Sequence, residues 1–209
     1  MSIHAADGEA LGTAHGAPRP RVQPSSFERQ YEQSADPWGY DTRDYERRKY
    51  AATLAALGRA DYGRVLEVGC SIGVFTRLLA PRCERLVAID FSARALALAR
   101  ERLAEVANVE LVPASFPEQA PGGQWDLVVC SEVLYYLDEL SLLRALDWLG
   151  EQLETGASVV AASWRGEGVE EPLSGDRAHD LMTAKLARWH VLDARRPGYR
   201  LDRFDGHEG

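Results

Sequence analysis

The sequence predicts an α/β protein built on a doubly wound, mostly parallel seven-stranded sheet that closes with an antiparallel hairpin. Short apolar runs alternate along the chain with longer segments whose leucines and alanines recur at helical spacing. Strands separated by helices of this length pair in parallel through right-handed crossovers. The last two runs are joined through Pro197 and Gly198, a turn that lets them pair antiparallel.

The N-terminal part of the chain differs in composition from the rest. Residues 1–26 are rich in alanine, glycine and proline and have no apolar periodicity, which predicts a disordered leader. Residues 27–209 are predicted to form a single domain. Within this domain, residues 27–58 form a predicted N-terminal lid segment, which contains the first helix.

The order of the predicted elements follows from apolar runs and helix signals. Most of the strands are near-continuous apolar runs, as expected for strands covered on both faces. The predicted strands are residues 64–68, 85–90, 109–112, 126–130, 158–163, 190–196 and 199–205. The predicted helices are residues 44–57, 73–80, 92–106, 140–153 and 176–187. Polar residues that suit helix starts are Thr42, Ser92, Asp138 and Asp176, and Gly58 suits the end of the first helix.

Composition excludes several classes of function. The formal net charge of −8 disfavours binding to nucleic acid, because an acidic domain repels a phosphate backbone. The three cysteines, Cys70, Cys83 and Cys130, suit neither a disulfide framework nor a C-x-x-C zinc pair. We expect reduced thiols, no metal site and a cytoplasmic protein, since there is no signal peptide and no apolar run that could span a bilayer.

A glycine-containing turn, E-V-G-C-S-I-G over residues 67–73, follows the first predicted strand. A ligand can approach bare backbone at a glycine, although a tight strand-to-helix turn without a ligand has the same pattern. Asp90 ends the second strand, where an acidic side chain accepts hydrogen bonds from both hydroxyls of a ribose. Asp90 also suits a carboxylate that stabilises the start of the next helix. The turn and Asp90 together predict a nucleoside site.

The same turn separates two classes of nucleoside-binding enzyme. It lacks the G-x-G-x-x-G pattern, whose second glycine lets a pyrophosphate dock, so a nicotinamide-dependent oxidoreductase is disfavoured. Glu67 stands just before the first glycine of the turn. An acidic group there can hold the ammonium of a methionine moiety and would repel a pyrophosphate.

These motifs resemble the class I S-adenosylmethionine-dependent methyltransferases. The similarity rests on E-x-G-x-x-x-G from Glu67, on Asp90, and on D-L-V-V-C-S-E over residues 126–132, and it covers about residues 60–165. It implies a Rossmann-like methyltransferase fold. It also implies S-adenosyl-L-methionine as the cofactor and S-adenosyl-L-homocysteine as the product.

The resemblance further implies where the cofactor lies. Gly69, Cys70 and Gly73 would flank its methionine part, Asp90 would hold the ribose, and Phe91 would stack on the adenine. The acidic residue that often faces the adenine amine is absent after the third strand, which leaves Ser115 or backbone groups for that contact. The cofactor residues implied in this part of the chain are Glu67, Gly69, Cys70, Ser71, Gly73, Asp90, Phe91, Ser92, Ala114, Ser115, Phe116, Cys130 and Ser131.

Four further segments narrow the resemblance to the nodulation N-methyltransferase (NodS-type) family. They are S-A-D-P-W-G-Y-D-T-R-D-Y-E-R-R-K-Y over residues 34–50, G-C-S-I-G over 69–73, S-E-V-L-Y-Y-L over 131–137, and P-L-S-G-D over 172–176 with His179 and Asp180. They span nearly all of residues 31–206. The resemblance implies methyl transfer to an amine, with an amino sugar or a deacetylated chitooligosaccharide as acceptor. Other amines remain alternative acceptors.

The lid segment carries aromatic and basic candidates. Trp38 and Tyr40 either pack on a neighbouring surface or cover the ligands and exclude water, with Trp38 on the cofactor side and Tyr40 on the substrate side. Tyr45 is assigned to the cofactor. The run of three basic residues at 47–49 either forms a solvated helix face or supplies a partner, Arg48, for the methionine carboxylate.

The candidate catalytic groups follow the fourth strand, at the functional edge of such sheets. Glu132 is the candidate for amine binding or general base, and its alternative is a carboxylate held by backbone amides or a neighbouring cation. Tyr135, a second catalytic candidate, and Tyr136, a substrate candidate, either attract a cation with their rings or pack on a helix face. Trp164 and His179 are substrate candidates that suit structural positions equally well.

Three readings of function remain. The first is an S-adenosylmethionine-dependent N-methyltransferase of a small amine, without nucleic-acid or membrane partners. The second is a methyltransferase that acts on another small molecule, including an O-acceptor. The third is a non-catalytic subunit that keeps the cofactor site. The sequence does not specify the oligomeric state.

Overall fold

The computed structural model describes residue 22, residues 24–166 and residues 171–206. Its strands are β1 Tyr62–Val68, β2 Cys83–Asp90, β3 Val109–Pro113, β4 Leu127–Ser131, β5 Ser158–Trp164, β6 His190–Arg195 and β7 Tyr199–Asp205. Its helices are α1 Pro24–Gln33, α2 Asp44–Ala55, α3 Val74–Leu79, α4 Ala93–Arg102, α5 Glu139–Glu154 and α6 Gly175–Lys185. Short 3-10 turns lie at Ala80–Arg82, Leu134–Tyr136 and Ala187–Trp189.

The strands form one seven-stranded sheet in the order β3-β2-β1-β4-β5-β7-β6. The first five strands run parallel, and β7 pairs antiparallel with both β5 and β6. This confirms the predicted fold class, including the closing hairpin. The strand order reverses beside β1, where Val68 is paired with Ile89 of β2 and Cys130 of β4. Ligands of open α/β sheets bind outside the carboxyl ends of the strands at such a reversal.

Both faces of the sheet are covered by apolar side chains. On one face, Leu66 and Val128 pack with α5 and α6 residues such as Leu146 and Met182. On the other face, Val65, Leu127 and Val129 pack with α2 and α3 residues, among them Tyr50 and Phe75. Burial on both faces is the physical reason for the apolar runs in the sequence.

Two of the predicted helix starts are correct and two are wrong. The Ser92 side chain accepts from the Ala95 N–H, and the Asp138 side chain accepts from the Ser141 N–H. At α2 the N-cap is Arg43, without a side-chain bond, instead of Thr42. At α6 the N-cap is Ser174, whose side chain accepts from the Arg177 N–H, instead of Asp176. Asp176 instead pairs with Arg165, which satisfies its carboxylate.

Helix α1 was not predicted. It begins at Pro24, so the last three residues of the predicted leader are helical, and the rest of that leader lies almost entirely outside the described residues. Its sequence, PSSFERQYEQ, has only two aromatic residues, Phe27 and Tyr31, to pack against the domain. Contacts with α4 stabilise this helix, and local periodicity does not reveal such contacts.

In the part of the chain that the structure describes, all helices are too short or too polar to cross a membrane. Cys70, Cys83 and Cys130 are free thiols, as predicted.

Candidate active site

A pocket of about 970 Å³ opens at the carboxyl ends of β1, β2 and β4. The turn after β1, Asp90 at the end of β2 and residues 131–133 at the end of β4 form its sheet side. Aromatic residues of the N-terminal lid segment form its opposite side. A mostly apolar cleft with a few convergent polar groups, at this edge of an open α/β sheet, is typical of a small-molecule or cofactor site.

The turn after β1 brings its backbone close to the pocket. Gly69 has a φ of 75°, and a Cβ there would overlap the Val133 side chain. Ser71 has a φ of 51°, an uncommon conformation for a residue with a side chain. The amides of Gly69 and Cys70 both donate to the Ile89 carbonyl, which ties the turn to β2. The turn therefore needs glycine at position 69 for its own geometry, whether or not a ligand is bound.

Asp90 accepts hydrogen bonds from two backbone amides. The Ser71 N–H donates to Oδ2 over 2.9 Å, and the Ser92 N–H donates to Oδ1 over 2.8 Å. Burial raises the pKa of Asp90 to about 6, although these amide bonds oppose the shift. The carboxylate lines the pocket and keeps lone pairs for further donors, since each oxygen accepts more than one hydrogen bond.

Glu67 is a buried carboxylate in the wall of the same pocket. It is 2% exposed, and its Oε2 has no hydrogen-bond partner among the residues that the structure describes. Burial raises its pKa to about 8, because a low-dielectric environment disfavours the charged form. A buried polar atom without a partner is rare in proteins and often marks a functional site. The Thr76 hydroxyl is the nearby donor that opposes the rise in pKa, and the ionised form of Glu67 would also suit a bound cation.

Four aromatic residues of the lid segment cover the pocket. The Phe27 ring lies 5.2 Å from the Phe91 ring and 5.0 Å from the Tyr136 ring, both edge-on. The Tyr31 hydroxyl hydrogen-bonds Ser71 Oγ over 2.6 Å, and the Trp38 and Tyr40 rings are 5.5 Å apart. The lid segment thus contacts both the turn after β1 and the turn after β4.

Glu132 directly follows β4, and its carboxylate accepts hydrogen bonds from three protein donors. Lys49 Nζ donates to Oε1 over 2.7 Å, while the Tyr135 hydroxyl and the Trp164 N–H donate to Oε2 over 2.6 and 3.0 Å. Lys49 also lies 2.7 Å from Oε2 of Glu46. Glu132 was interpreted either as an amine-binding or basic group or as a carboxylate held by protein donors. These contacts match the second interpretation, since a backbone amide and a cation hold the carboxylate. The side chain nevertheless lines the pocket.

The pocket brings together most of the residues predicted for the site. Those that line it are Trp38, Tyr40, Glu67, Gly69, Cys70, Ser71, Asp90, Phe91, Ala114, Phe116, Ser131, Glu132 and Tyr136. Tyr135 lies behind this wall, and burial with the nearby Glu132 charge holds its pKa well above the usual range, so the hydroxyl stays a donor.

Four predicted cofactor residues of the sheet side do not line the pocket. Ser92 is buried and caps α4 with its side chain. Gly73, with a φ of 77°, precedes α3, and a Cβ there would press on Leu103 and Ala99. Cys130 is fully buried in the core of the sheet. The Ser115 N–H donates to Gln119 Oε1 instead of facing the pocket.

The remaining predicted residues also lie elsewhere. Arg48 is exposed, because the helical phase of α2 turns Lys49 inward instead. The Tyr45 hydroxyl donates to the Gly198 carbonyl, near the closing hairpin. Trp164 contributes its backbone amide to Glu132, while its side chain is partly exposed. His179 is fully buried and bonds Asp202 through Nδ1 over 2.5 Å, so it is a structural histidine.

Phe27, Tyr31, Lys49 and Tyr50 are site residues that the sequence analysis missed. A signal existed for Lys49: the buried residues of α2 are Glu46, Lys49, Tyr50 and Thr53, which lie at helical spacing on one face. No comparable signal marked Phe27 and Tyr31, because α1 has too few apolar residues to be recognised. No group of three or more metal-ligating side chains occurs among the described residues.

Comparisons with known proteins agree with this geometry. Nodulation protein S of Sinorhizobium fredii NGR234 is 36% identical over 110 residues, which are 52% of this chain and 51% of that protein. A solved structure from Pseudomonas syringae is 38% identical, with a TM-score of 0.69 over 78% of this chain and 99% of that chain. The structure of N-methyltransferase NodS from Bradyrhizobium japonicum WM9 in complex with S-adenosyl-L-homocysteine is 26% identical, with a TM-score of 0.74 over 88% of this chain and 98% of that chain.

The aligned part of the chain spans between 51% and 64% of the length of three curated Nodulation protein S relatives. The family model of Nodulation protein S (NodS) matches residues 25–170, which include the lid segment, the turn after β1, Asp90 and Glu132. The chain belongs to the NodS family.

Proposed function

We propose that this protein is an S-adenosylmethionine-dependent N-methyltransferase. The observation that carries the proposal is the pair of carboxylates, the buried Glu67 and the partly buried Asp90, in the wall of one pocket where the strand order reverses. The proposal agrees with the NodS structure from Bradyrhizobium japonicum, which is described as an N-methyltransferase in complex with S-adenosyl-L-homocysteine.

The residues of the pocket fit the proposed cofactor. Glu67 Oε2 lacks a partner among the described residues, and the α-ammonium of a methionine moiety is a donor that suits it. Asp90 keeps acceptor positions for the two ribose hydroxyls. Phe91, Ala114 and Phe116 offer an apolar lining for an adenine ring. A dinucleotide fits poorly, because the turn after β1 has Ser71 where the G-x-G-x-x-G pattern has the glycine that lets a pyrophosphate dock.

S-adenosylmethionine, when bound, supplies a methyl group activated by a positively charged sulfur. The protein must hold an acceptor whose lone pair points at that methyl group, and alignment of this kind contributes much of the catalysis of such reactions. A protonated amine has no lone pair, so the acceptor must react as the free amine. The protein has no need to provide covalent chemistry of its own.

Glu132 is the proposed binding group for the acceptor amine. A carboxylate has about four lone-pair positions. Lys49, Tyr135 and the Trp164 amide occupy three of them, so within the described residues one position remains, on Oε1. Since Glu132 lines the pocket, we infer that an acceptor N–H donates there and is oriented by it. Three protein donors fix the carboxylate in place, so orientation of the acceptor is the role that we assign to it.

The aromatic side of the pocket completes the acceptor site. The rings of Tyr40 and Tyr136 line it, and aromatic faces attract cations and cover apolar surface. Burial raises the pKa of Tyr40 well above its usual range, so its hydroxyl stays neutral. The lid residues Phe27, Tyr31 and Trp38 exclude water from the reacting groups.

The acceptor class rests on the family. The resemblance to the nodulation N-methyltransferases implies an amino sugar or a deacetylated chitooligosaccharide as acceptor, and we propose this class for the protein. The pocket agrees with an amine, because it combines a carboxylate with aromatic rings in a protein of net charge −8.

Calorimetric titration tests the cofactor assignment. The wild-type protein is expected to bind S-adenosylhomocysteine and to give no heat with NAD⁺ at the same concentration. The Glu67→Gln variant is expected to bind more weakly, while Glu151→Gln, at an exposed position of α5, is the matched control and binds as wild type. Binding of NAD⁺, or equal affinity of Glu67→Gln and wild type for S-adenosylhomocysteine, would refute the assignment.

A further inference from the structure

Lys49 is a fully buried cation at the junction of the lid segment and the sheet. Its side chain is 1% exposed, and its ammonium lies 2.7 Å from both Glu46 Oε2 and Glu132 Oε1. The Tyr45 and Tyr50 rings lie 5.2 and 5.6 Å from the same nitrogen. Burying an ammonium is costly unless opposite charges compensate it, and here two carboxylates do so.

The partner that matters for chemistry is Glu132, 83 residues further along the chain. Glu132 has a φ of 57°, an uncommon conformation for a residue with a side chain, so its backbone needs support from its surroundings. Its amide donates to the Ala162 carbonyl, and its carboxylate has the three donors described above. Among these donors only Lys49 carries a charge, and only Lys49 comes from the lid segment.

We propose that Lys49 is a positioning residue for the acceptor site, whose ammonium holds Oε1 of Glu132 so that one lone-pair position of the carboxylate faces the pocket. The role in acceptor binding rests on the proposed function. The link between Lys49 and the protonation of Glu132 does not depend on it.

The surroundings of Glu132 favour this assignment. From α2, Lys49, Glu46, Tyr45 and Tyr50 face it. Tyr40 from the loop before α2 and Tyr135 from the 3-10 turn after β4 also face it, and the Tyr136 hydroxyl lies 3.4 Å from that of Tyr135. From β5 the Trp164 amide does so. Lys49 is the cation in this set, and Glu46 opposes its effect with a second negative charge.

The effect of removing Lys49 has a definite sign. Without the ammonium, Glu132 would lie in a buried site beside Glu46 with no opposite charge, and the proton would be held to higher pH. An opposite charge at this distance changes such a midpoint by about 1–3 pH units. If Lys49 only packed α2 against the sheet, its removal would lower the stability of the protein and leave the midpoint of Glu132 protonation unchanged.

The test is a carbon-13 NMR titration of the Glu side-chain carboxyl carbons, with Glu132→Gln to assign the resonance. In Lys49→Met, the midpoint of Glu132 protonation is expected to rise by about 1–3 pH units. Lys49→Arg is expected to restore the wild-type midpoint. Arg48→Met removes an exposed cation from the next position and is expected to change nothing. An unchanged midpoint in folded Lys49→Met would overturn the proposal.

A second variant covers the case in which Lys49→Met does not fold. Glu46→Gln removes the competing carboxylate and leaves Lys49 to Glu132 alone, so the Glu132 midpoint is expected to fall. A Glu132 midpoint that does not move in this variant counts against the proposal.

The split between kcat and KM for methyl transfer to an amine gives the functional readout, measured at a pH where the acceptor is largely the free amine. Lys49→Met is expected to raise KM for the amine more than it lowers kcat, because the group that orients the acceptor is no longer held in place. An unchanged KM for the amine in folded Lys49→Met would contradict the acceptor role. If wild type binds no S-adenosylhomocysteine and transfers no methyl group, the proposed function fails together with the acceptor role, while the NMR titration still decides the link between Lys49 and Glu132.

Discussion

The backbone N–H of Ser71 donates to Oδ2 of Asp90 over 2.9 Å, which fastens the turn after β1 to the end of β2. The Ser71 hydroxyl also bonds the Tyr31 hydroxyl, so the contact continues into α1 of the lid segment. Both residues line the pocket. Asp90, the proposed partner of the ribose, is therefore connected through Ser71 to α1, which covers the pocket. The first predictions rest on this arrangement.

Asp90→Asn is expected to weaken binding of S-adenosylhomocysteine. Hydrogen bonds to a charged acceptor contribute about 1.5–3 kcal/mol, which corresponds to roughly a 10- to 150-fold rise in Kd. The amide keeps the shape of the side chain and an acceptor oxygen for a backbone N–H. Calorimetry measures the effect, with Asp147→Asn on the exposed side of α5 as the control. Equal Kd values for Asp90→Asn and wild type would exclude the ribose role.

Binding of S-adenosylhomocysteine near pH 7 is expected to release a proton from Glu67. Since burial raises the pKa of Glu67 to about 8, the carboxyl is mostly protonated at this pH, and an ammonium beside it favours the ionised form. Titrations in two buffers of different ionisation enthalpy measure the released proton. Glu67→Gln is expected to release none from this position. If the variant releases as many protons as wild type, the ammonium does not bind at Glu67.

Because of Glu67, the stability of the folded protein is expected to fall as the pH rises. An unfolded glutamate has a pKa of about 4.3, so between that value and about 8 the folded state binds more protons than the unfolded state. Stability therefore falls through this window in wild type, and the Tm advantage of Glu67→Gln should grow from pH 5 to pH 8. Thermal unfolding without ligand measures it. A Tm difference that is constant across the window would contradict the shifted pKa.

Tyr31→Phe is expected to weaken cofactor binding several-fold while leaving the fold intact. The substitution removes one hydrogen bond to Ser71, worth about 1 kcal/mol, and keeps the packing against Ile72 and Ala95. Tyr45→Phe is a close control, because it also removes one tyrosine hydrogen bond, to the Gly198 carbonyl, away from the pocket. Equal S-adenosylhomocysteine affinities of the two variants would show that the Tyr31–Ser71 bond does not support the site.

Asp202 is expected to stabilise the closing hairpin above about pH 4 without affecting the pocket. Burial alone would raise its pKa, but His179, Arg200 and His190 outweigh burial and lower it. A carboxyl with a lowered pKa contributes stability above its unfolded pKa of about 3.9 and loses it as the pH falls through the folded value. Asp202→Asn should therefore cost about 1–3 kcal/mol at pH 7, since it weakens a buried network in which Asp202 is the shared partner of His179, His190 and Arg200, while Arg200 keeps its ion pair with Asp180.

Urea unfolding at several pH values measures this cost, and Asp193→Asn, at a more exposed carboxylate 3.8 Å from Arg200, is the control. The difference between Asp202→Asn and wild type should shrink as the pH falls toward 3. A difference that is the same at pH 3 and pH 7 would show that the ionised form of Asp202 is not the stabilising species.

Much of the fold was predictable because its strands are buried on both faces and carry continuous apolar runs. The caps Ser92 and Asp138 were predictable because one residue bonds an amide three positions away. Helix α1 was not, since tertiary contacts of Phe27 and Tyr31 stabilise it. Thr42 and Asp176 were wrong because several polar residues precede each helix and only packing selects among them.

The predictions for the pocket residues also divide into those that strand topology decides and those that tertiary packing decides. Glu67 and Asp90 lie at the carboxyl ends of β1 and β2, and Glu132 directly follows β4, so topology alone places them at one sheet edge. Arg48 lies outside the pocket and Lys49 was missed because the choice among three consecutive basic residues depends on the helical phase of α2, which buries position 49. His179 lies away from the pocket because it pairs with a buried aspartate on a distant strand, Asp202, and that pairing has no local signal.

Transfer of a deuterated methyl group tests the central claim most directly. Wild-type protein is incubated with S-adenosylmethionine labelled on its methyl group and with acceptors that differ in one amine, such as glucosamine and N-acetylglucosamine or chitooligosaccharides with and without a free amine. Mass spectrometry and NMR identify the product. The account predicts a labelled methyl group on the nitrogen of the free-amine acceptors alone. A label on oxygen, or no transfer to any amine by protein that binds S-adenosylhomocysteine, would contradict it.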